Sequence, residues 1–599
     1  MTDGVPQADA ASDGASMLAE AFRRHGRVEH LIRGDVLLRD GDRADSVHLV
    51  ASGRFHVVIR GQVVAEVAAG EPLGEIAFLS AGPRTADVVA ARDSSVLTLD
   101  RTSWGAALAE APSLGAAMMG FLARRLAATA PFAPPLVPQA PRMLTLMPAG
   151  GCAVPVGLAD ALARGITDRS PLRPADRPGD AGDARALAAW LQRIEGEGHR
   201  RIVLIEGRGT AAPDDWALAA LRQSDAVVLV GRLDRRTSGI VSLTPLEEEA
   251  LRLHRPQARH LVLTRGASRP VAGTADWLSR RDVRLHHHVR DGDRASLDRA
   301  ARLVRGTGLG LVLSGGGALS CAHQGVLRAL REGGVEIDMM GGTSGGGAMA
   351  IAAGSGMEPA EILDRTKDIF VRSGALRRVT VPIHAILDHH LFDAKLREHF
   401  GDRLLEDFER PAFAVSASLT YNAAHVHRGG PAWAVARATG SLPGLLPPVV
   451  RPNGEVLVDG AVVDNLPVGP MHDRKMGPNL VVGLLPPVDW RVERSYDALP
   501  RRGALLRDLA LRRYDPHDFP RVIPLMQRAL ALTSRQAMRA ARMDGNALIR
   551  PRLPPGSGLM DWSHADRLAE AGYRHACRVL DEAGSVGALL AHGGEAMPG

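Results

Sequence analysis

Only three cysteines occur in 599 residues, Cys152, Cys321 and Cys577, and they stand far apart with no CxxC pair. Such spacing excludes a disulfide framework and a cysteine-based zinc site, so a reducing compartment is expected. Strong charge of either sign is also missing: 73 basic and 67 acidic residues leave a formal +6. That surplus is too diffuse to argue for nucleic acid, though it suits an anionic ligand or membrane surface. The chain has no run of about 20 uncharged apolar residues. Its start, "MTDGVPQADAASDGASMLAEAF", is acidic and polar where a signal peptide needs a basic stretch and an apolar core. The expectation is a soluble cytoplasmic protein, peripheral at most at the inner membrane surface. Internal repeats are absent as well. What the chain does have is 45% hydrophobic residues, enough at about 100–200 residues per domain for three to five units.

Proline and glycine divide these units. A segment over residues 17–130 ends in a stretch of helical periodicity, and "PFAPPLVPQAPR" at 131–142 is too proline-rich for helix or central strand, so it reads as a linker. Over 143–300, the runs "RMLTLMP", "RRIVLIEG", "DAVVLVG" and "HLVLTRG" alternate with helical stretches, the rhythm of a parallel α/β sheet. A second alternation fills 305–490, beginning at "GLGLVLSGGG", and 491–599 reads as mostly helical and basic.

The first segment contains "VHLVASGRFHVVIRGQVVAEVAAG", where apolar residues alternate between glycine bends, which predicts a small β-roll. In "LGEIAFLSAGPRTADVVA", Gly74 and Glu75 open a short helix and Arg84 and Thr85 follow Pro83. Free N–H groups at a helix start and an arginine suit a phosphate, and a glutamate can accept from a sugar hydroxyl. On residue types alone a surface ion pair explains Glu75 and Arg84 equally well. The stretch resembles the phosphate-binding cassette of cyclic-nucleotide-binding domains, and "IRGDVLLRDGDRADSVHLVASGRFHV" resembles that family's first strands, with Gly34, Gly41, Asp42 and Gly53 at the turns. The resemblance implies that Glu75 holds the ribose of cAMP or cGMP and Arg84 the cyclic phosphate, with the Thr85 hydroxyl where guanine-type ligands often find one. Many such modules serve instead as docking or gating domains.

The chemistry concentrates farther on. "LGLVLSGGGALSCAHQGVLRALREGG" reads as strand, glycine turn and helix, a turn whose bare N–H groups can bind phosphate or stabilise an oxyanion. It lacks the GxxxxGK[ST] pattern of a P-loop. About thirty residues later, "VEIDMMGGTSGGGAMAIAAGSG" places Gly342, Ser344 and Gly346 in a GxSxG nucleophile elbow. A glycine-rich turn can hold serine for steric reasons alone, but with the triple glycine upstream the pair supplies nucleophile and oxyanion donors of one acyl-transfer site. For a base, "GEVLVDGAVVDNLPVGP" offers Asp459 at a strand end before glycine, with Asp464 as a rival. A histidine would complete a triad, but His472 and His564 lie outside strand-end or glycine settings and read as surface residues.

These three elements resemble the patatin-like phospholipases, and "LFDAKLREHFGDRLLEDFERPAFAVSASL" and "WAVARATGSLPGLLPPVV" extend the likeness over residues 305–490. The resemblance implies an oxyanion loop of Gly315, Gly316 and Gly317, a nucleophile in Ser344 and a base in Asp459, with no metal or cofactor required. Two positions depart from it: Leu319 and Ser320 stand where the family commonly has arginine and glycine, which bears on headgroup preference or catalytic rate and is the ground for the degenerate reading below. Ala461, ending the third element, is a tolerated variant. With a cyclic-nucleotide-binding-like module, an intervening α/β unit and the tail, the whole resembles the neuropathy target esterase group. The fold expected is therefore multidomain α/β: β-roll, middle α/β unit, patatin-like α/β hydrolase domain and helical C-terminal region. The implied activity is release of fatty acid from phospholipids or lysophospholipids by a Ser-Asp dyad, under a cyclic nucleotide as regulatory ligand. The other reading is a degenerate hydrolase working as a nucleotide-responsive binding or scaffold protein.

Bland readings cover the rest. In "LHHHVR", His286, His287 and His288 point alternately to opposite faces of a strand and cannot all ligate one ion. His323 reads as a packing or hydrogen-bonding residue. "LPRRGALLRDLALRRYD" fits a basic helix on an anionic membrane or a solvated helix face packed on the hydrolase.

Overall fold

Alternation of apolar and polar residues between glycine turns makes the segment from Arg27 to Asp100 mainly a succession of short strands. A computed structural model describes residues 9–59, 61–80, 82–129, 141–167, 169–179, 183–196, 200–233, 239–268, 270–484, 501–511, 525, 537–539, 541–542, 546–555 and 557–594. These fall into two compact units, Met1–Gly306 and Thr307–Gly599. Most of the proline-rich linker, residues 131–140, lies outside the described residues, as does much of 485–546.

The first unit opens with a β-roll of two antiparallel sheets. Its strands are β1 (Arg27–Leu31), β2 (Val36–Leu38), β3 (Ser46–Ser52), β4 (Arg54–Ile59), β5 (Gln62–Ala68), β6 (Pro72–Leu73), β7 (Asp87–Ala90) and β8 (Ser94–Asp100). They are ordered β1-β8-β3-β6 and β2-β7-β4-β5. Inward-facing Val50, Phe55, Val67, Leu73 and Val96 fill the roll, and helices Asp9–His25, Arg101–Glu110 and Ser113–Thr129 pack with Phe22, Trp104 and Leu114 in a second cluster.

Five parallel strands follow: β9 (Met143–Pro148), β10 (Arg201–Leu204), β11 (Ala226–Arg232), β12 (Arg259–Arg265) and β13 (Leu285–Arg290), in the order β10-β9-β11-β12-β13. Both faces carry helices, so the central strands are apolar through their middles, as in Val227–Val230 and Leu261–Leu263, and buried almost throughout. Sheets of this order bind ligands in the crevice outside the carboxyl ends of the strands where the winding reverses. Here the Trp277 ring packs over Gly150 and Gly231 at those ends, close enough that neither position has room for a side chain. Buried charges tie the roll to this sheet: Arg92 pairs with Glu195 and, at 3.2 Å, with Asp225, which also meets Arg54 at 3.2 Å.

The second unit is built on one mixed sheet. Its strands are β14 (Gly310–Leu313), β15 (Met339–Thr343), β16 (Ala412–Ser418), β17 (Ala423–His427), β18 (Val449–Val450), β19 (Val456–Asp459), β20 (Asn479–Val482) and β21 (Ala547–Ile549). The order is β18-β19-β16-β15-β14-β20-β21, with β17 beside β16. Strands β14, β15, β16, β20 and β21 run parallel; β17 and β19 run against them, and β18, antiparallel to β19, runs with them again. Four helices matter below: α1 (Cys321–Glu332), α2 (Ser344–Gly354), α3 (Ala432–Thr439) and α4 (Ala565–Ala583). The C-terminal region, expected to be mostly helical, thus also adds a strand to the sheet.

Candidate active site

Strand β15 delivers its chain directly into α2, and the corner between them is Ser344. Serine there adopts φ 54, a left-handed conformation that an L-residue holds only under strain. The corner is that sharp because the flanking backbones nearly touch: a methyl on Gly342 would fall 2.6 Å from the Gly346 carbonyl carbon. Two bonds hold the serine. Its N–H donates to Thr439 Oγ1 at 2.9 Å, and its Oγ donates to Asp459 Oδ2 at 2.6 Å.

Asp459 ends β19, whose antiparallel pairing places it opposite Ser416 of β16. Its second oxygen accepts from Ala461 N at 2.9 Å, so the carboxylate is oriented from both sides. It is fully buried, and burial, only partly offset by those two bonds, pushes its pKa up to about 7. A carboxyl poised near neutrality next to a hydroxyl is suited to taking that hydroxyl's proton. The rival Asp464 accepts from Leu466 N at 3.1 Å and makes no bond to Ser344.

The glycine loop leaves β14 beside this corner. Among the three glycines expected to donate, Gly315 requires a correction: its N–H goes to the Asn465 carbonyl at 3.1 Å, so it anchors the loop instead of facing a substrate. Among the described residues, the N–H groups of Gly316 and Gly317 have no acceptor, and Gly317 takes φ 53. Gly345 N–H, in the first turn of α2, is a donor that sequence reading passed over, although a residue following an elbow nucleophile commonly supplies one. His323 is buried in α1 and donates from Nε2 to the Ser314 carbonyl at 2.8 Å, holding the strand end from which the loop departs. Burial pushes this imidazole down to about 4, leaving it neutral at pH 7.

Leu319 and Ser320 are now explicable. Leu319 is buried in an apolar cluster with Trp562 and Leu568, behind the pocket wall that Trp562 helps to form, and Ser320 Oγ donates to the Gly317 carbonyl. His472 contacts Asn546 and His564 pairs with Asp561 at 2.8 Å.

From Ser344 a pocket of about 900 Å³, part of it open to solvent, extends between Met349, Ile362, Phe370, Phe392, Leu445 and Trp562. Almost all of its wall is apolar; Arg365 and His399 are polar exceptions. The Trp562 ring stacks on Phe370 with centroids 3.7 Å apart.

Thr439 was not legible as a site residue. It ends α3, is fully buried, and its Oγ1 accepts from Ser344 N while donating to the Val415 carbonyl at 2.5 Å. Thr439→Val therefore strands a buried N–H and is expected to lower unfolding stability by about 1–3 kcal/mol. The misplaced elbow should cost up to about 10²-fold in kcat. Thr439→Ser should restore most of both, as urea titration and ester turnover would show.

Ligand-type side chains also gather at Asp368, Glu398 and His399. There Lys395 Nζ already bridges Asp368 at 3.0 Å and Glu398 at 2.9 Å, an ammonium where a cation would sit. His287 stacks on His260 with Nδ1···Nε2 3.0 Å between them, while His286 and His288 meet edge to face. Burial drives His260 down to about 3 and His287 well below its ordinary value, so both are neutral at pH 7.

In the β-roll, Arg84 and Gly74 are brought together: Arg84 Nη1 donates to the Gly74 carbonyl at 2.8 Å and Nη2 to the Ser46 carbonyl at 2.6 Å. Glu75 is buried beside them, whereas Thr85 is exposed. Arg84 Nε is buried without a hydrogen-bond partner, a donor available to an anion such as a cyclic phosphate.

Comparison with known proteins agrees with this anatomy. Residues 311–472 match the family model "Patatin-like phospholipase" and residues 28–111 match "Cyclic nucleotide-binding domain". An uncharacterized NTE family protein of Mycobacterium tuberculosis is 30% identical over 481 residues, covering 77% of this chain and 78% of the relative. Neuropathy target esterase sws of Drosophila melanogaster is 25% identical over 510 residues, covering 74% of this chain and 34% of the insect protein. Patatin-like phospholipase domain-containing protein 6 of Pongo abelii is 28% identical over 513 residues, 75% of this chain and 37% of that relative. The chain belongs to the NTE family, and in it a cyclic nucleotide-binding domain precedes a patatin-like phospholipase domain.

Proposed function

We propose that this protein hydrolyses the carboxylic esters of lysophospholipids or phospholipids through a Ser344–Asp459 dyad, releasing fatty acid. The observation that carries the reading is the 2.6 Å bond from Ser344 Oγ to the buried Asp459 carboxylate at the wall of an apolar pocket. As Ser344 Oγ attacks the ester carbonyl, Asp459 takes the hydroxyl proton. Negative charge forms on the carbonyl oxygen, where the N–H groups of Gly316, Gly317 and Gly345 are the available donors, each worth roughly 2.7–4 kcal/mol in serine hydrolases generally. Collapse of the tetrahedral intermediate breaks the ester C–O bond, and the proton held by Asp459 goes to the departing alkoxide. Water then gives its proton to Asp459 and attacks the acyl-serine, and the fatty acid leaves as Ser344 is reprotonated. The apolar wall suits an acyl chain.

Cyclic-nucleotide control is part of the same reading. Gly74, Glu75 and Arg84 would hold the ligand, with the unpaired Arg84 Nε as the group that fits a phosphate oxygen. The Trp277-filled crevice leaves the middle sheet the part of a structural connector.

The competing reading, a degenerate scaffold, rested on Leu319 and Ser320. Neither side chain blocks Ser344, and Leu319 lies outside the pocket wall. A fluorophosphonate probe distinguishes the two readings: the hydrolase forms an adduct mapped by mass spectrometry to Ser344, and a scaffold forms none.

A further inference from the structure

Water-soluble surfaces rarely carry adjacent, strongly exposed β-branched residues without a partner. In the second unit, "RRVTVPIHAILD", residues 377–388, folds as a short hairpin. Thr380 N–H donates to the Ile386 carbonyl at 2.9 Å and Asp388 N–H to the Arg378 carbonyl at 2.8 Å, closing the two arms on each other. Its tip presents Val379 and Val381 at 71% exposure and Ile383 at 77%. Val379 and Val381 alternate onto one face of the first arm, Ile383 sits in the turn where its N–H donates to the Val381 carbonyl at 2.8 Å, and all three side chains are left exposed.

Two further features say what covers it. Arg377 and Arg378, at the base of the first arm, are both exposed, and the carboxylate at that base, Asp388, is paired with His390 at 2.7 Å instead of with either arginine. An apolar tip above a basic collar matches the layering of an anionic membrane surface, acyl chains inside and phosphates at the rim. Second, the hairpin is rooted in the pocket. Leu376, just before it, lines the cavity wall, and its second arm is tied by Ile386 N–H to the Gly444 carbonyl at 2.9 Å and Leu387 N–H to the cavity-lining Leu445 at 3.0 Å.

We infer that residues 377–388 are the membrane-docking element of this protein, with Val379, Val381 and Ile383 entering an anionic phospholipid surface and Arg377 and Arg378 engaging its headgroups. Docked this way, the bilayer lies against the same wall that lines the acyl pocket, and a lipid has a short apolar route to Ser344. The inference deepens the lipid-hydrolase reading and rests on it for its purpose, but binding itself does not require catalysis.

Co-sedimentation with vesicles of phosphatidylcholine and phosphatidylglycerol, using the full chain carrying Ser344→Ala, reads docking whether or not the dyad turns over. Val381→Asp with Ile383→Asp should lower partitioning by roughly tenfold per residue. Arg377→Glu with Arg378→Glu should abolish the preference for phosphatidylglycerol while leaving weaker binding to pure phosphatidylcholine. The same pairs on the active Ser344 background should hydrolyse soluble p-nitrophenyl butyrate within about twofold of the parent, because exposed tip residues do not touch the pocket. Partitioning unchanged by the aspartate pair, or no vesicle binding by the parent, overturns the inference and assigns the tip to a protein partner. Loss of p-nitrophenyl butyrate hydrolysis in Ser344→Ala alone bears on the hydrolase reading and leaves the docking result intact.

Discussion

Asp459→Asn is expected to lower ester hydrolysis by at least about 10³-fold while raising the melting temperature at pH 8. The two effects share one cause. Burial lifts the carboxyl of Asp459 from an ordinary 3.8 to about 7, so the folded chain binds this proton more tightly than the unfolded chain does. Stability from that proton is fully present below the unfolded pKa and is lost as pH rises toward about 7. Above that point the wild type carries a buried charge at a cost that asparagine avoids. Activity runs the other way, since only the ionised form can accept the Ser344 proton: kcat/KM should climb with pH through about 7. Thermal melts of both proteins at pH 5 and pH 8 check the first effect, with the gap wider at pH 8. A pH–rate profile checks the second, and a variant with wild-type turnover would refute the role assigned to the carboxylate.

Gly325→Leu should destabilise the second unit by about 3 kcal/mol or more. Helices α1 and α4 cross with their backbones in contact: a methyl on Gly325 would overlap the Ala569 carbonyl, and one on Gly572 would overlap the Ala322 carbonyl. Carbonyls cannot rotate aside as side chains can, so α4 must move bodily. The turn leading into α4 holds Trp562, which stacks on Phe370 in the pocket wall, and the start of α1 continues directly from the glycine loop. Loss of hydrolysis should therefore accompany loss of stability, and Gly325→Ala should give a smaller form of both. Urea titration with activity measured at matched folded fraction separates the two contributions; an unperturbed Leu variant would mean the helices are not packed this closely.

Much of this was legible in the chain itself, for local reasons. Alternating residues between glycines spelled out the β-roll, and short apolar runs between helical stretches spelled out the parallel sheet. GxSxG after an apolar strand announced a sharp strand-to-helix corner, and Ser344 sits there with a positive φ. Asp459 stood out because a strand end followed by glycine is a local pattern, although its partner is 115 positions away. Features set by long-range pairing were hidden. Nothing around Thr439 says that its hydroxyl will accept from Ser344 N–H, and nothing in the glycine run says that Asn465 will claim the N–H of Gly315. Strand β21 and Trp562 likewise acquire their places only through contacts with β20 and Phe370.

The most direct measurement is fatty-acid release from lysophosphatidylcholine micelles by wild type and Ser344→Ala at equal concentration. The dyad predicts release by the wild type and a fall of at least about 10³-fold in the variant. Equal release by the two proteins, or none by the wild type, would contradict it.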